Sequence, residues 1–430
     1  MRKSSNFQNL ALIGLMFFAF GFVTWINAIL IPFFKIAFDL DHLRAYLVTF
    51  AFYISYLTVS IPVSFFLKRK GFKAGMTLGF CIMAMGSLLF IPAAGFRQYS
   101  IFLTGLFITG IGLAFVQTAV NPYVTLLGEK EKAAQRISIM GICNKTAGII
   151  APILFSSLVF LKKDSALLNN LKTLSPASRE VFLDELVGRV ITPYIIVTVI
   201  LLLLGLFVRF SSLPEINNQN NNVSANESES KKKIVHYPHV VLGAFAIFFH
   251  VGSQVIAIDT IINYARESGL PMDVAKFFPS AILFTTICGY LLGILFVPAR
   301  LSQLHMLRVC SLLGFSLATL AIFSKSIVMV SGYQVPVSLF FLMLLGLANS
   351  MIWACIWPLS LDRLGSKVNI GSSLLVMGLC GNALLPLVYG YLADHLGLQN
   401  AYLVLLPCYG YLLFFALRGY KLNTWKFSAV

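Results

Sequence analysis

The chain has 430 residues, 58% of them hydrophobic and only 11% charged, with a formal net charge of +16. Soluble globular domains are about 25% charged, so the composition excludes a soluble protein. Stretches of about 20 apolar residues recur along the whole length, each enough to cross a hydrocarbon core of about 30 Å. Lipid cannot satisfy open backbone polar groups, which calls for helices. A β-barrel would alternate polar and apolar residues, and these runs do not.

The N-terminal "MRKSSNFQNLALIGLMFFAFGF" starts basic and turns apolar, then runs on toward Pro32. It is too long for a cleavable signal peptide and reads as a first span. Twelve spans are predicted, at 9–33, 44–67, 74–95, 100–127, 137–160, 191–210, 239–265, 273–297, 305–323, 335–361, 371–393 and 400–418. Polar residues inside them are the candidate site. Span one carries Trp25 and Asn27. On span four, Gln117 and Asn121 are four apart and share one helix face. Span five carries Asn144 and Lys145, and span seven carries His250, Gln254, Asp259 and Asn263. On span ten, Asn349, Trp353 and Trp357 are spaced i, i+4, i+8 and predict one stripe. Amides and indoles suit a sugar, which needs hydrogen-bond partners for its hydroxyls and a flat apolar surface for its C–H face. His250 is read as a packing residue.

Two connections are longer than the rest. Residues 161–190 mix polar and apolar residues and predict short outer helices. Residues 211–238 contain "NNQNNNVSANESESKKK", a polar low-complexity linker between spans six and seven. With the N-terminus in the cytoplasm, the inner segments hold 20 of the 32 Lys and Arg and the outer ones 11; the remaining one is Lys145. The positive-inside rule therefore places both termini in the cytoplasm. The same asymmetry accounts for the net charge without a nucleic-acid partner. The seven cysteines lie in or beside apolar runs with no CxxC pair, so packing is preferred over metal or disulfide roles.

The two halves match weakly but in order. "FFAFG" from Phe17 resembles "FFHVG" from Phe248, "GLA" at Gly112 recurs at Gly346, and "IMGIC" from Ile139 resembles "VMGLC" from Val376. The offsets are 231, 234 and 237. A parallel duplication of a six-span unit is a transporter architecture with its site at the midplane between the repeats. The halves are expected at 1–210 and 239–430, with 211–238 joining them.

The stretches "GFVTWINAILIPFFKIAFDL", "FAFYISYLTVSIPVSFFLKRKGFKAGM", "LFIPAA", "GLAFVQTAVNPYVTLLG" and "NIGSSLLVMGLCGNALLPLVYGYLAD" resemble the fucose, glucose/galactose and N-acetylglucosamine permeases. These are bacterial sugar symporters within the major facilitator superfamily. The resemblance covers nearly the whole chain except 161–190 and 211–238. It implies an all-α integral membrane protein with twelve transmembrane helices in two pseudo-symmetric six-helix halves, and a cavity lined by spans one, four, seven and ten. It also implies a monomer in the bacterial inner membrane, with no cofactor and no metal. Asn144 and Gln254 match an asparagine and a glutamine of the fucose members.

The chain also departs from that pattern. Fucose–proton symporters carry Asn-Asp in the first span, where this chain has Asn27-Ala28, and a glutamate in the fourth, where it has Gln117. Glucose/galactose members also have glutamine there. The two acids associated with proton coupling are therefore missing. The offset of 231 maps Ala28 onto Asp259, the only acid that falls mid-span. Among bases, only Lys145 does. An ion at a helix centre costs about 2.5–3.5 kcal/mol even on the mild insertion scale, so such residues line a cavity or pair up. In the basic loop "SFFLKRKGFKAGM", Ser64 and Lys68 stand where the superfamily has glycine and aspartate, so the usual inner latch is altered.

The expected function is secondary active import of a monosaccharide, a hexose or N-acetylhexosamine, by cation-coupled alternating access. Asp259 and Lys145 are the coupling pair, and the proton is favoured over sodium because an ammonium repels a second cation at short range. Sodium coupling, an anionic sugar or organic acid held by Lys145, and a non-transporting sugar sensor remain open. No paired acids, metal-spaced histidines or nucleophile–base pair falls within the spans, so no enzyme is expected.

Overall fold

A computed structural model of the chain describes residues 2–126, 133–161, 175–211, 234–297, 300–362, 364, 368–422 and 425. Twelve helical segments in it are long and apolar enough to cross a membrane. They run Ala11–Ala37, Leu47–Leu67, Phe72–Gly95, Tyr99–Val120, Ile139–Val159, Pro176–Phe210, Pro238–Glu267, Met272–Phe296, Gln303–Phe323, Val337–Leu361, Ser373–Leu396 and Leu398–Lys421, and are called spans one to twelve. They coincide closely with the predicted spans, because hydrophobicity over about 20 residues is what selects both. Span six shows the largest difference. Its first part is a separate outer helix, Pro176–Gly188, whose N-cap Ser175 accepts from the Ser178 N–H and whose first turn starts on proline. The membrane part is Ile191–Phe210.

The outer helix covers 13 residues of the long 161–190 connection, of which 162–174 lie outside the described residues. It buries Phe182, Leu183, Leu186 and Val187. Arg97 bridges it to the span three–four turn, 2.9 Å from Glu180 and 2.8 Å from Asp184. Exposed ion pairs are worth at most about 1 kcal/mol each, so the apolar face holds this helix down. Most of the linker lies outside the described residues; Ile234–His236 is a single 3-10 turn leading into span seven at Pro238.

Span six shows what the outside of the bundle meets. Ile196, Val199, Leu203 and Phe207 lie on one face and are exposed. A contiguous exposed apolar face is a liability in water and the ordinary condition of a lipid-facing helix. Inside, glycine sets the helix spacing. A Cβ at Gly148 would lie 2.5 Å from Trp25 Cδ1, so span five can pack this closely on the span-one indole only because that position has no side chain. The halves meet along span five against span eight, span two against span eleven, and the second segment of span one against span seven.

Two features are not anticipated by the sequence reading. Besides span six, several spans are broken: span one at Ile26, span three at Leu89, span eight at Lys276–Phe277, span ten at Ser350–Met351, and spans eleven and twelve at 3-10 turns, Gly378–Cys380 and Tyr402–Val404. Span seven is one unbroken helix, Pro238–Glu267. Proline alone does not break a span, since Pro62 and Pro152 sit inside unbroken helices. The second feature is a hairpin between spans nine and ten, β1 Ile327–Val330 with β2 Tyr333–Pro336, paired antiparallel with Val330 opposite Tyr333. Its two-residue loop, Ser331-Gly332, has positive φ at both positions, 49° and 86°. That is the twist-matched geometry of tight hairpins, which glycine adopts without strain.

Candidate functional site

The predicted site residues fall into three groups. The first joins spans one, five and seven. The Asn144 side chain accepts from Trp25 Nε1 at 3.0 Å and donates to the Phe17 carbonyl at 3.3 Å. A Cβ at Gly21 would come within 2.6 Å of the Asn144 carbonyl oxygen, so this contact between spans one and five needs the glycine. Lys145 places its ammonium 4.0 Å above the Trp25 ring centroid and donates to Gln254 Oε1 at 3.3 Å, across the boundary between the halves. It is 7% exposed, so the ammonium is held inside rather than snorkelling to water. A desolvated cation–π contact is worth about 2 kcal/mol, which offsets part of the cost of burying the charge. An ammonium has three donors, and among the described residues one of them is taken, by Gln254. His250, one turn before Gln254, is buried, and its Nδ1 has no partner.

The second group is sealed more deeply. Asp259 is 1% exposed, and neither carboxyl oxygen has a hydrogen-bond partner. Thr49 of span two stands beside it, although its hydroxyl also lacks a partner at hydrogen-bonding geometry. One turn further on, Asn263 Nδ2 donates to the Tyr46 hydroxyl at 3.3 Å. Asn27, at the start of the second segment of span one, is fully buried with both side-chain polar atoms unpartnered. An orphaned buried polar group costs about 1–3 kcal/mol. Such groups are rare in native proteins and call for an explanation, such as another state or a ligand that satisfies them.

Asp259 and Lys145, expected as a pair, are apart in this conformation. Among the described residues no carboxylate lies within 4.0 Å of the Lys145 ammonium. The physical reason is helical: Gln254 and Asp259 are five residues apart on one continuous helix, about 7.5 Å along its axis. The ammonium that reaches one is therefore displaced from the other.

The third group comes from spans four and ten. Gln117, Trp353 and Trp357 are half-buried. The two indoles stack, with centroids 5.2 Å apart and an interplanar angle of 26°. Asn349 does not continue their stripe. The helix ends at Asn349 and resumes at Ile352, and Asn349 Oδ1 accepts from the Tyr409 hydroxyl of span twelve at 3.0 Å. The i, i+4, i+8 expectation assumed an unbroken helix and fails at that break. The Asn121 and Lys68 side chains lie outside the described residues.

Several residues near the site are absent from the sequence reading. Tyr46, Thr49, Tyr53 and Tyr56 are all buried and share one face of span two at helical spacing. Of these, Tyr46, Thr49 and Tyr53 neighbour Asp259 of span seven. This hydroxyl stripe is visible in the sequence as "YLVTFAFYISY", but only to a reader counting hydroxyls as well as charges. His42 and Asp394 also meet across the halves, His42 N–H donating to Asp394 Oδ1 at 3.0 Å.

The profile of the Major Facilitator Superfamily matches residues 13–377. The glucose/galactose transporter of Brucella abortus is 29% identical over 415 residues, which are 95% of this chain and 93% of that one. The L-fucose-proton symporter of Escherichia coli is 29% identical over 412 residues, 94% of this chain and 92% of that one. The crystal structure of the transporter FucP in the outward conformation superposes with a TM-score of 0.71 at 28% identity, covering 95% of this chain and 97% of that one.

Proposed function

The chain belongs to the Major Facilitator Superfamily, and from that premise we propose that it is a secondary active importer of a monosaccharide, driven by protons through Asp259. It is a multi-pass membrane transporter and not an enzyme. In this reading residues 1–210 and 239–430 rock about a central site, joined by 211–238, with both termini in the cytoplasm and the protein in a bacterial inner membrane. The relatives transport glucose, galactose or fucose, which supports a hexose as substrate.

One observation carries the coupling assignment: Asp259 is a buried carboxyl with, among the described residues, no hydrogen-bond or ion-pair partner on either oxygen. An ionised carboxylate is costly there, while the neutral acid is tolerated. The closed arrangement therefore favours a loaded carboxyl. When spans two and seven part, water reaches it and the proton exchanges. Proton movement is thereby tied to the rocking of the halves, which is what coupling requires.

The division of labour differs from a Lys145–Asp259 switch. Lys145, Gln254, Trp25 and Gln117 offer a charge, amides and an indole to sugar hydroxyls, and Trp353 and Trp357 offer flat faces. A specific observation favours a substrate role for Lys145: its ammonium lies beside an amide and a ring, with donors to spare. The test is uptake of a labelled hexose panel into proteoliposomes, with sodium replaced by choline and with an imposed pH gradient. Accumulation driven by the pH gradient without sodium is expected. Strict sodium dependence without proton movement would reassign Asp259 and Thr49 to a sodium site.

A further inference from the structure

The outer side of the molecule is closed by a cross-half contact that involves none of the residues assigned above to coupling or sugar binding. Spans one and two are joined by a short turn of helix, His42–Ala45. Its first two free N–H groups are taken by the other half: His42 N–H donates to Asp394 Oδ1 and Leu43 N–H to Asp394 Oδ2, both at 3.0 Å. Asp394 lies in the last turn of span eleven. One carboxylate thus grips two consecutive backbone donors with both oxygens. Such charge-assisted bonds are roughly twice as strong as neutral ones.

The neighbourhood is shaped to let that grip form. A Cβ at Gly390, one turn before Asp394, would lie 2.7 Å from Tyr46 Cδ2 and 3.0 Å from Leu43 Cα. Span eleven can therefore lie against the turn only because residue 390 is glycine. Tyr46 then packs edge-on against Tyr389, with centroids 5.6 Å apart. The Tyr46 hydroxyl takes the Asn263 bond from span seven. The seal over Asp259 is continuous with this contact.

We propose that Asp394 is the outer latch of the transport cycle: the outer side closes when its carboxylate takes the His42 and Leu43 N–H groups, and opens when it releases them. The assignment rests on the alternating-access reading, but its test needs neither sugar nor coupling ion. Hydrogen exchange of the full chain in lipid nanodiscs, read by mass spectrometry, compares the wild type with Asp394→Ala, Asp394→Asn and Asp394→Glu. In the alanine and asparagine variants, exchange in the peptides over 41–48 and 256–264 is expected to rise on the order of tenfold or more, the effect of losing the two charge-assisted hydrogen bonds of the carboxylate. Inner peptides over 72–88 should stay unchanged, and Asp394→Glu should restore part of the protection. Unchanged exchange at 41–48, or an equal rise in outer and inner peptides, would overturn the latch. A chain that transported no sugar would leave this readout intact, so the two proposals fail separately.

Discussion

Lys145 and Asp259 reach into the same boundary between the halves but have different neighbours. Lys145 donates to Gln254 at 3.3 Å and lies 4.0 Å above Trp25, while Asp259 faces Thr49 and the hydroxyl stripe of span two. The two mid-span charges therefore belong to separate sites about 7.5 Å apart along span seven, and each can be tested without the other.

Asp259→Asn removes the titratable group and keeps the shape. Uphill accumulation of sugar should be lost, while counterflow exchange between loaded vesicles and external label persists. Full concentrative uptake by the variant would rule out Asp259 as the coupling group.

Replacing Lys145 by Met removes the ammonium and keeps the stem. Sugar affinity is expected to fall about tenfold, the loss of one hydrogen bond from the ammonium to a sugar hydroxyl at about 1.5 kcal/mol. The ratio of protons to sugar should not change. A variant that binds sugar normally but no longer accumulates it would return Lys145 to the coupling machinery.

Trp353→Ala and Gln117→Ala should each weaken binding by about 1–3 kcal/mol, the cost of a lost stacking face or an unpaired polar contact. Asn349→Ala should behave differently, because its amide is bound to Tyr409. It should lower thermal stability and leave affinity nearly unchanged. Titration of sugar against tryptophan fluorescence, with melting curves on the same samples, separates the two effects.

His42 gives the outer gate a pH dependence. Burial, and next the Lys35 ammonium, hold it below the ordinary imidazole value, against the opposing pull of Asp394, Glu267 and Asp41. Lys35 Nζ lies 2.8 and 3.0 Å from the two ring nitrogens, an arrangement that calls for a neutral ring. Glu267, 3.6 Å away and mostly exposed, favours the opposite state but is screened by water. The closed gate thus binds fewer protons at His42 than the open one. Closure should be fully supported above about pH 6.5, the free imidazole value, and weaken as the outer pH falls below it. Exchange of the 41–48 peptide at pH 5.5 and 7.5, corrected for intrinsic rate, should show the opening, and His42→Gln should flatten it.

The spans, their order and the charge asymmetry are legible because each rests on a local property, about 20 apolar residues or a basic flank. Asp259 and Lys145 stand out for the same reason. What links them to neighbours is not local. Thr49 is an ordinary residue until span seven packs against it, and Asp394 reads as a loop acid because it lies at a helix end. The displacement of Asn349 from its stripe depends on a break at Ser350–Met351, which hydropathy does not register. The Ser331-Gly332 turn carries the familiar glycine signal, but its two four-residue strands fall mostly in the connection 324–334, too short to stand out as elements.

Span seven remains a single rod where spans one, ten and eleven are jointed. From Gln254, beside Lys145, to Glu267, beside His42, is 13 residues of continuous helix, about 20 Å. A small tilt at the sugar end is therefore delivered to the outer rim without being absorbed on the way. Span seven acts as a lever, with the jointed spans as the parts that give. A glycine pair or proline placed between Ile258 and Ile262 would disconnect its two ends, leaving a protein that binds sugar on one side and opens and closes on the other with no relation between the two events.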